Sequence, residues 1–304
     1  MSATPKSHWT TRVAILAPYL WLVAFFLLPF AIVVKISLSQ SVFAQPPYTP
    51  AFDFAEGWQG VKDFLAALSF SNYANVLIDP IYAWSYGKSF QVAVFSTAML
   101  LVLGYPVAYA MARAPRRWQS VLVLLIVLPF WTSFLIRVYA WMIILQHDGL
   151  LNQVLKTLGL VDQPLTWLAT DTAVYIGVVY SYLPFMVLPL YAALEKMDVT
   201  LLEAAADLGC PPWRAFLSIT IPLSLPGIVA GSLLCFIPIM GEFVIPNLLG
   251  SSDTAMIGQI LWDEFFGTRN WPAASALAVL LLLLLLPPIM IYRQREARAL
   301  ERSR

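Results

Sequence analysis

Two ionisable residues, Arg137 and Glu242, stand inside long apolar runs of a chain that otherwise keeps its charges between such runs. A charge in hydrocarbon costs about 3 kcal/mol or more, so it is held there by a partner or kept for a function. A carboxylate at such a depth can neutralise an ammonium group, and a guanidinium can pair with that carboxylate. Two readings therefore stand side by side: a structural or gating Arg137–Glu242 ion pair, and a Glu242 that binds a cationic solute. Arg137 follows Gln119 by 18 residues and Glu242 follows Pro222 by 20. At about 1.5 Å per helical residue the two reach similar depth, nearer the outer face. A cationic solute also seeks aromatic faces, for cation–π contact. Trp131, Tyr139, Trp141, Tyr180 and Tyr182 lie in the third and fourth apolar runs. Helical spacing places Arg137 with Trp141, and Trp131 with Phe134, on shared faces. The pathway candidates are Trp131, Tyr139, Trp141, Tyr182 and Glu242; packing or interfacial anchoring is the plain alternative for each ring.

Other chemistries find no footing. His8 and His147 fall outside the apolar runs, and Cys210 and Cys235 have no metal-ligand spacing. No G-x-x-x-x-G-K-[ST] phosphate loop occurs, so the chain is expected to hydrolyse no ATP and to hold no metal or cofactor of its own. A net charge of +1 gives no basis for nucleic-acid binding.

The elements that must position these residues are membrane helices. Hydrophobic residues make up 60% of 304 and charged residues 12%, with a mean hydropathy of +0.75. A water-soluble domain of this size needs more charge to cover its surface, so the lipid bilayer serves as solvent. A helix crosses hydrocarbon with about 20 apolar residues. Six runs qualify: Val13–Leu38, Ser89–Ala112, Gln119–Leu145, Thr172–Leu194, Pro222–Leu249 and Pro272–Tyr292. The first is too long for the roughly 7–15 apolar residues of a secretion signal and reads as a retained span. Pro29, Pro106, Pro129, Pro184, Pro189, Pro226 and Pro238 lie inside these runs. Each admits a kinked packing helix or a broken helix lining a pathway.

With a cytosolic amino terminus, twelve of the eighteen Lys and Arg lie on the cytosolic side, five outside, and Arg137 within a span. The positive-inside rule thus places both termini in the cytosol. The expected organisation is a cytosolic segment 1–12, a transmembrane region 13–292 with an outer loop 41–88 and a cytosolic loop 196–221, and a cytosolic tail 293–304. Ten acidic residues fall outside, leaving the outer loops at −5. Such a mouth would concentrate cations, although depletion of outer Lys and Arg accounts for part of the asymmetry. Trp58, Phe64, Leu65, Phe70, Tyr73, Val76 and Leu77 suggest a short helix within the outer loop.

The cytosolic loop reads Leu202-Glu203-Ala204-Ala205-Ala206-Asp207-Leu208-Gly209 and later Ile219-Thr220-Ile221-Pro222. Glu203 to Leu208 favours helix, Gly209 suits a helix end at positive φ, and Pro211 and Pro212 suit the first turn of a second short helix. A helix–turn–helix bracket carrying Leu201, Leu202, Trp213 and Phe216 as apolar contacts is a docking surface.

This loop resembles the EAA loop of ABC importer permeases: Glu203-Ala204-Ala205, then Gly209, then Ile219 and Ile221-Pro222, with Ile221 where that family usually has leucine. Further segments are similar to polyamine permeases: Leu128-Pro129-Phe130-Trp131-Thr132-Ser133-Phe134-Leu135-Ile136-Arg137-Val138-Tyr139, Asp162-Gln163-Pro164, Tyr182-Leu183-Pro184-Phe185-Met186 and Gly241-Glu242-Phe243-Val244-Ile245-Pro246. They cover most of the chain from Asn72 to Tyr292, and the Gly241-Glu242-Phe243 form looks more like the putrescine branch than the spermidine branch. Residues 1–70 carry little of the likeness.

The resemblance implies an all-α polytopic membrane protein with six transmembrane helices and a type I ABC importer permease fold, in the bacterial inner membrane. It implies a second homologous permease subunit, two cytosolic ATPase subunits that use ATP and Mg, and a periplasmic polyamine-binding protein. Glu203, Ala204, Ala205, Gly209, Ile219 and Pro222 would form the ATPase-coupling loop, with Glu203 as the charged anchor and Gly209 as the turn. The same machinery could carry an opine, iron or thiamine. An ion-coupled secondary transporter would instead show inverted repeats and no ATPase dock.

Overall fold

The computed structural model describes residues 16, 18–50 and 66–302, with backbone alone at 291–293 and 295–302. The expected segment 1–12, the start of the first span at Val13, and Trp58, Phe64 and Leu65 lie outside the described residues. So do the side chains of the tail from Arg293, apart from that of Gln294.

Helices dominate, as the apolar runs demand. They are α1 (Pro18–Ser37), α2 (Ser71–Ile78), α3 (Pro80–Arg113), α4 (Arg116–Val127), α5 (Phe134–Ile144), α6 (Leu150–Thr157), α7 (Asp171–Glu195), α8 (Thr200–Asp207), α9 (Pro212–Met240), α10 (Val244–Leu249), α11 (Ile257–Trp262) and α12 (Trp271–Arg302). A two-residue antiparallel ladder joins β1 (Gln40–Ser41) to β2 (Tyr48–Thr49). Five helices are long and apolar enough to cross a membrane, and α4 with α5 makes a sixth span bent by 86°.

Two expected spans are therefore corrected. The third is broken at Thr132 and Ser133, whose extended backbones leave the helix. Pro129 supplies no amide there, and the Thr132 hydroxyl takes up its carbonyl at 2.7 Å. The fifth span stops at Met240, turns through Gly241-Glu242-Phe243, and resumes as α10. It also starts earlier than expected. The second short helix of the bracket is the first turns of α9, which passes through a π-turn at Phe216–Thr220 without interruption. The depth comparison of Arg137 with Glu242 presumed straight helices and does not survive these breaks.

The described chain divides into two compact units, Met1–Pro80 with Leu261–Leu284, and Ile81–Ile260 with Leu285–Arg304. In the first, Asn72 Nδ2 donates to the carbonyls of Ser37 and Ser39 at 2.8 and 2.7 Å, and the Ser37 and Tyr73 hydroxyls meet at 2.6 Å. These bonds tie α2 to the end of α1. Helix α1 is otherwise exposed along its length, as a lipid-facing helix is.

In the second unit, α7 and α9 form the core. Gly227 and Gly231, four residues apart on one face of α9, let the two backbones approach. A Cβ at Gly227 would lie 2.6 Å from the Ala193 Cβ and 2.7 Å from the Pro189 carbonyl, whereas one at Gly87 would meet nothing within 4 Å. Gly227→Ala is thus expected to destabilise the solubilised protein by about 1–3 kcal/mol through overpacking, and Gly87→Ala to leave it near wild type, as read by thermal melting in detergent.

A charge the sequence placed in the outer loop is buried instead. Lys88, only 9% exposed on α3, donates to Asp171 Oδ2 at 2.6 Å at the start of α7. Removing the acid strands a buried ammonium, whereas removing the base leaves a half-exposed carboxylate. Asp171→Ala is expected to cost about 3 kcal/mol and Lys88→Met clearly less, a difference that thermal melting of the two variants checks.

Candidate functional site

The two helix breaks face a common cavity of about 1120 Å³ whose walls include Phe130, Phe134, Arg137, Tyr182, Phe185 and Glu242. The break after Met240 decides how Glu242 is held. Its Oε1 accepts from the amides of Phe243, Val244 and Ile245 at 3.2, 3.0 and 3.4 Å, which have no intrahelical acceptor at the start of α10. Its Oε2 accepts from the Tyr182 hydroxyl of α7 at 2.6 Å. Glu242 is 7% exposed, with Oε1 shared by three amides and Oε2 bonded to Tyr182.

The expected Arg137–Glu242 ion pair is not formed: the salt bridges among the described residues are Lys88–Asp171 and His147–Asp148. The amides and Tyr182 already offset much of the carboxylate's lost hydration, so its burial does not require the guanidinium. Arg137, 9% exposed, instead lays its guanidinium 5.2 Å from the ring centre of Phe130 and 5.8 Å from that of Phe134. Its Nε is buried without a hydrogen-bond partner, as is the Ser181 hydroxyl on the same cavity wall.

Of the pathway candidates, the structure brings Tyr182 and Glu242 together and leaves the rest outside. Trp131 is 74% exposed at the break, Tyr139 is exposed, and Trp141 packs edge-on against Tyr180 at 5.4 Å. The aromatic wall comes from Phe130, Phe134 and Phe185, the first and last in edge contact at 5.1 Å. Spacing held a partial signal: Phe134 and Arg137, three apart on α5, share a face. The expected face shared by Trp131 and Phe134 is lost because the break falls between them.

The bracket between α7 and α9 forms a second surface. Helix α8 begins with Asp198 accepting the Thr200 amide at 3.0 Å, a bond that holds the Asp198 carboxyl below the usual carboxylate range. It ends at Gly209, whose φ of +74° only glycine adopts without strain. The Gly209 and Cys210 amides close the last turn on the Ala206 and Ala205 carbonyls, both at 2.9 Å. Glu203 and Ala204 are exposed and Ala205 is half-buried, while Ile219 is half-buried in the π-turn and Pro222 exposed on α9. Leu208 is 89% exposed and Trp213 also stands in the open, the Arg214 guanidinium 5.0 Å over its ring. Phe216 anchors the bracket inward, edge-on to Tyr105 and Tyr109 at 5.5 and 6.0 Å. The 29 residues of α9 run from this surface to the cavity, about 43 Å at 1.5 Å per residue.

Residues 101–298 match the family described as the binding-protein-dependent transport system inner membrane component. The spermidine/putrescine transport system permease protein PotB of Haemophilus influenzae is 36% identical over 268 residues, 88% of this chain and 87% of that protein. PotB of Escherichia coli is 41% identical over 73% of this chain and 80% of its own, and the inner membrane ABC transporter permease protein YdcU of that organism 33% over 64% and 65%. Among solved structures, a chain of a bacterial alginate ABC transporter in complex with an alginate pentasaccharide-bound periplasmic protein aligns with a TM-score of 0.71. It covers 96% of this chain and 95% of that one at 14% identity. At that identity the likeness is one of fold, and it bears out the all-α importer-permease architecture.

Proposed function

Since the chain belongs to the family of inner membrane components of binding-protein-dependent transport systems, we propose that it is the permease subunit of an ABC importer for a short polyamine, putrescine or spermidine. The observation that carries the cargo assignment is the likeness to PotB proteins over most of both chains. The cavity supports it: a buried carboxylate and aromatic faces within apolar walls suit an aliphatic chain with cationic ends.

Both termini lie in the cytosol, with α8 and the start of α9 on the cytosolic face. The chain pairs with a second homologous permease, and two ATPase subunits receive the brackets. Glu203, Ala204, Ala205 and Gly209 form the inserted edge, and Ile219 and Pro222 pass the motion into the span. Closure of the ATPases moves the bracket, the unbroken α9 carries that displacement toward Glu242, and the cavity opens outward to accept cargo from a periplasmic binding protein. ATP hydrolysis on the partners resets it inward.

Co-reconstitution of the permeases and ATPases tests this reading. ATP hydrolysis is expected to rise several-fold with polyamine-loaded binding protein and to stay basal with the unloaded protein. Equal rates with both would sink the cargo assignment.

A further inference from the structure

The cavity carries two opposite charges that do not meet, and its cation sits where a cargo cation would settle. Arg137 and Glu242 are the charged residues of the wall. The guanidinium lies within cation–π range, about 6 Å, of the Phe130 and Phe134 rings. An ammonium entering this space meets a like charge and finds two aromatic faces taken. Glu242 does not draw Arg137 away: Tyr182 and three amides stabilise the carboxylate without it, and Oε2, which accepts one bond, keeps an acceptor site for an incoming ammonium.

We infer that Arg137 is a resident competitor for cationic cargo, a tethered cation that keeps the cavity's hold on a polyamine weak. The inference rests on the polyamine reading and adds a specificity role that the reading does not contain. A permease must release what its binding protein delivers, and an internal cation lowers affinity without removing the carboxylate that attracts the cargo. Arg137 is thus a tuning residue whose loss strengthens binding, the reverse of what loss of an attractive contact does.

The test measures dissociation constants of putrescine and spermidine for the assembled permease–ATPase complex in lipid nanodiscs, without binding protein. Arg137→Gln is expected to tighten binding about tenfold, the scale of one freed cation–π site and one removed like charge. Arg137→Lys, which keeps the charge, is expected to stay near wild type. Adding Phe130→Leu to Arg137→Gln should give back part of the gain. Arg137→Met is read in parallel as a second neutral variant. Unchanged or weaker polyamine binding in the neutral variants overturns the inference, as does failure of both to assemble while Arg137→Lys assembles. So does 4-aminobutyrate binding that is tighter in wild type than in Arg137→Gln, since Arg137 would then be a site for the acceptor end of a cargo. Polyamine binding in none of the proteins overturns the cargo assignment as well, whereas wild-type binding that Arg137→Gln fails to tighten overturns the inference alone.

Discussion

Alanine at Glu203 is expected to abolish cargo-stimulated ATP hydrolysis, returning it to the basal rate, while permease expression and melting temperature stay unchanged. Glu203 is exposed on α8 and makes no side-chain hydrogen bond or ion pair among the described residues, so the fold does not depend on it. An exposed substitution of this kind shifts stability by about 0.5 kcal/mol or less. At an interface the same carboxylate becomes a buried charged contact, whose truncation costs about 2–5 kcal/mol. The measurement is hydrolysis by the purified complex with loaded binding protein, beside a melting curve of the permease. Stimulation near wild type would remove Glu203 from the coupling contact. A matching fall in melting temperature would make its role structural.

At Glu242 the alanine and glutamine variants are expected to part company. Alanine strips the acceptor from three amides and the Tyr182 hydroxyl, all at the break between α9 and α10. A buried donor left without a partner costs about 1–3 kcal/mol, so Glu242→Ala is expected to lose about 3 kcal/mol or more of stability and to assemble poorly. Glutamine keeps a carbonyl oxygen for the amides and loses the charge. Glu242→Gln is expected to assemble and to import polyamine at least about tenfold more slowly, through loss of the one carboxylate on the cavity wall. Melting curves of both variants and uptake by the glutamine variant separate holding the break from attracting the cargo. Wild-type uptake by Glu242→Gln would leave the residue as a cap alone.

The helix–turn–helix bracket was legible in the sequence because its signals are local. Gly209 had to be glycine at positive φ, and Pro211 and Pro212 had to precede a helix. The spans were legible because hydrocarbon demands long apolar runs. The breaks were not, because most of the prolines do not mark one: Pro129 stands beside the break at Thr132, and the others inside the spans do not. Pro106 lies inside unbroken α3, Pro184 and Pro189 inside α7, and Pro226 and Pro238 inside α9. The interruptions fall at Thr132-Ser133, where the bonds are local, and at Gly241-Glu242-Phe243, where the Glu242 carboxylate caps α10 and takes the Tyr182 hydroxyl from α7. Misplaced breaks carried into the site: Arg137 and Glu242 line one cavity, but the ion-pair reading set them at equal depth on straight helices that the fold does not contain. Lys88 was counted with the outer loop by its position in the chain, and only the start of α7 shows why it is buried.

The central claim is tested most directly by uptake of labelled putrescine and spermidine into proteoliposomes holding the complete importer, with ATP inside and binding protein outside. Polyamine accumulation that requires both ATP and binding protein, and is chased by unlabelled polyamine, is the predicted result. Accumulation without ATP, or none with either polyamine in a complex that hydrolyses ATP in response to another loaded solute, would contradict it.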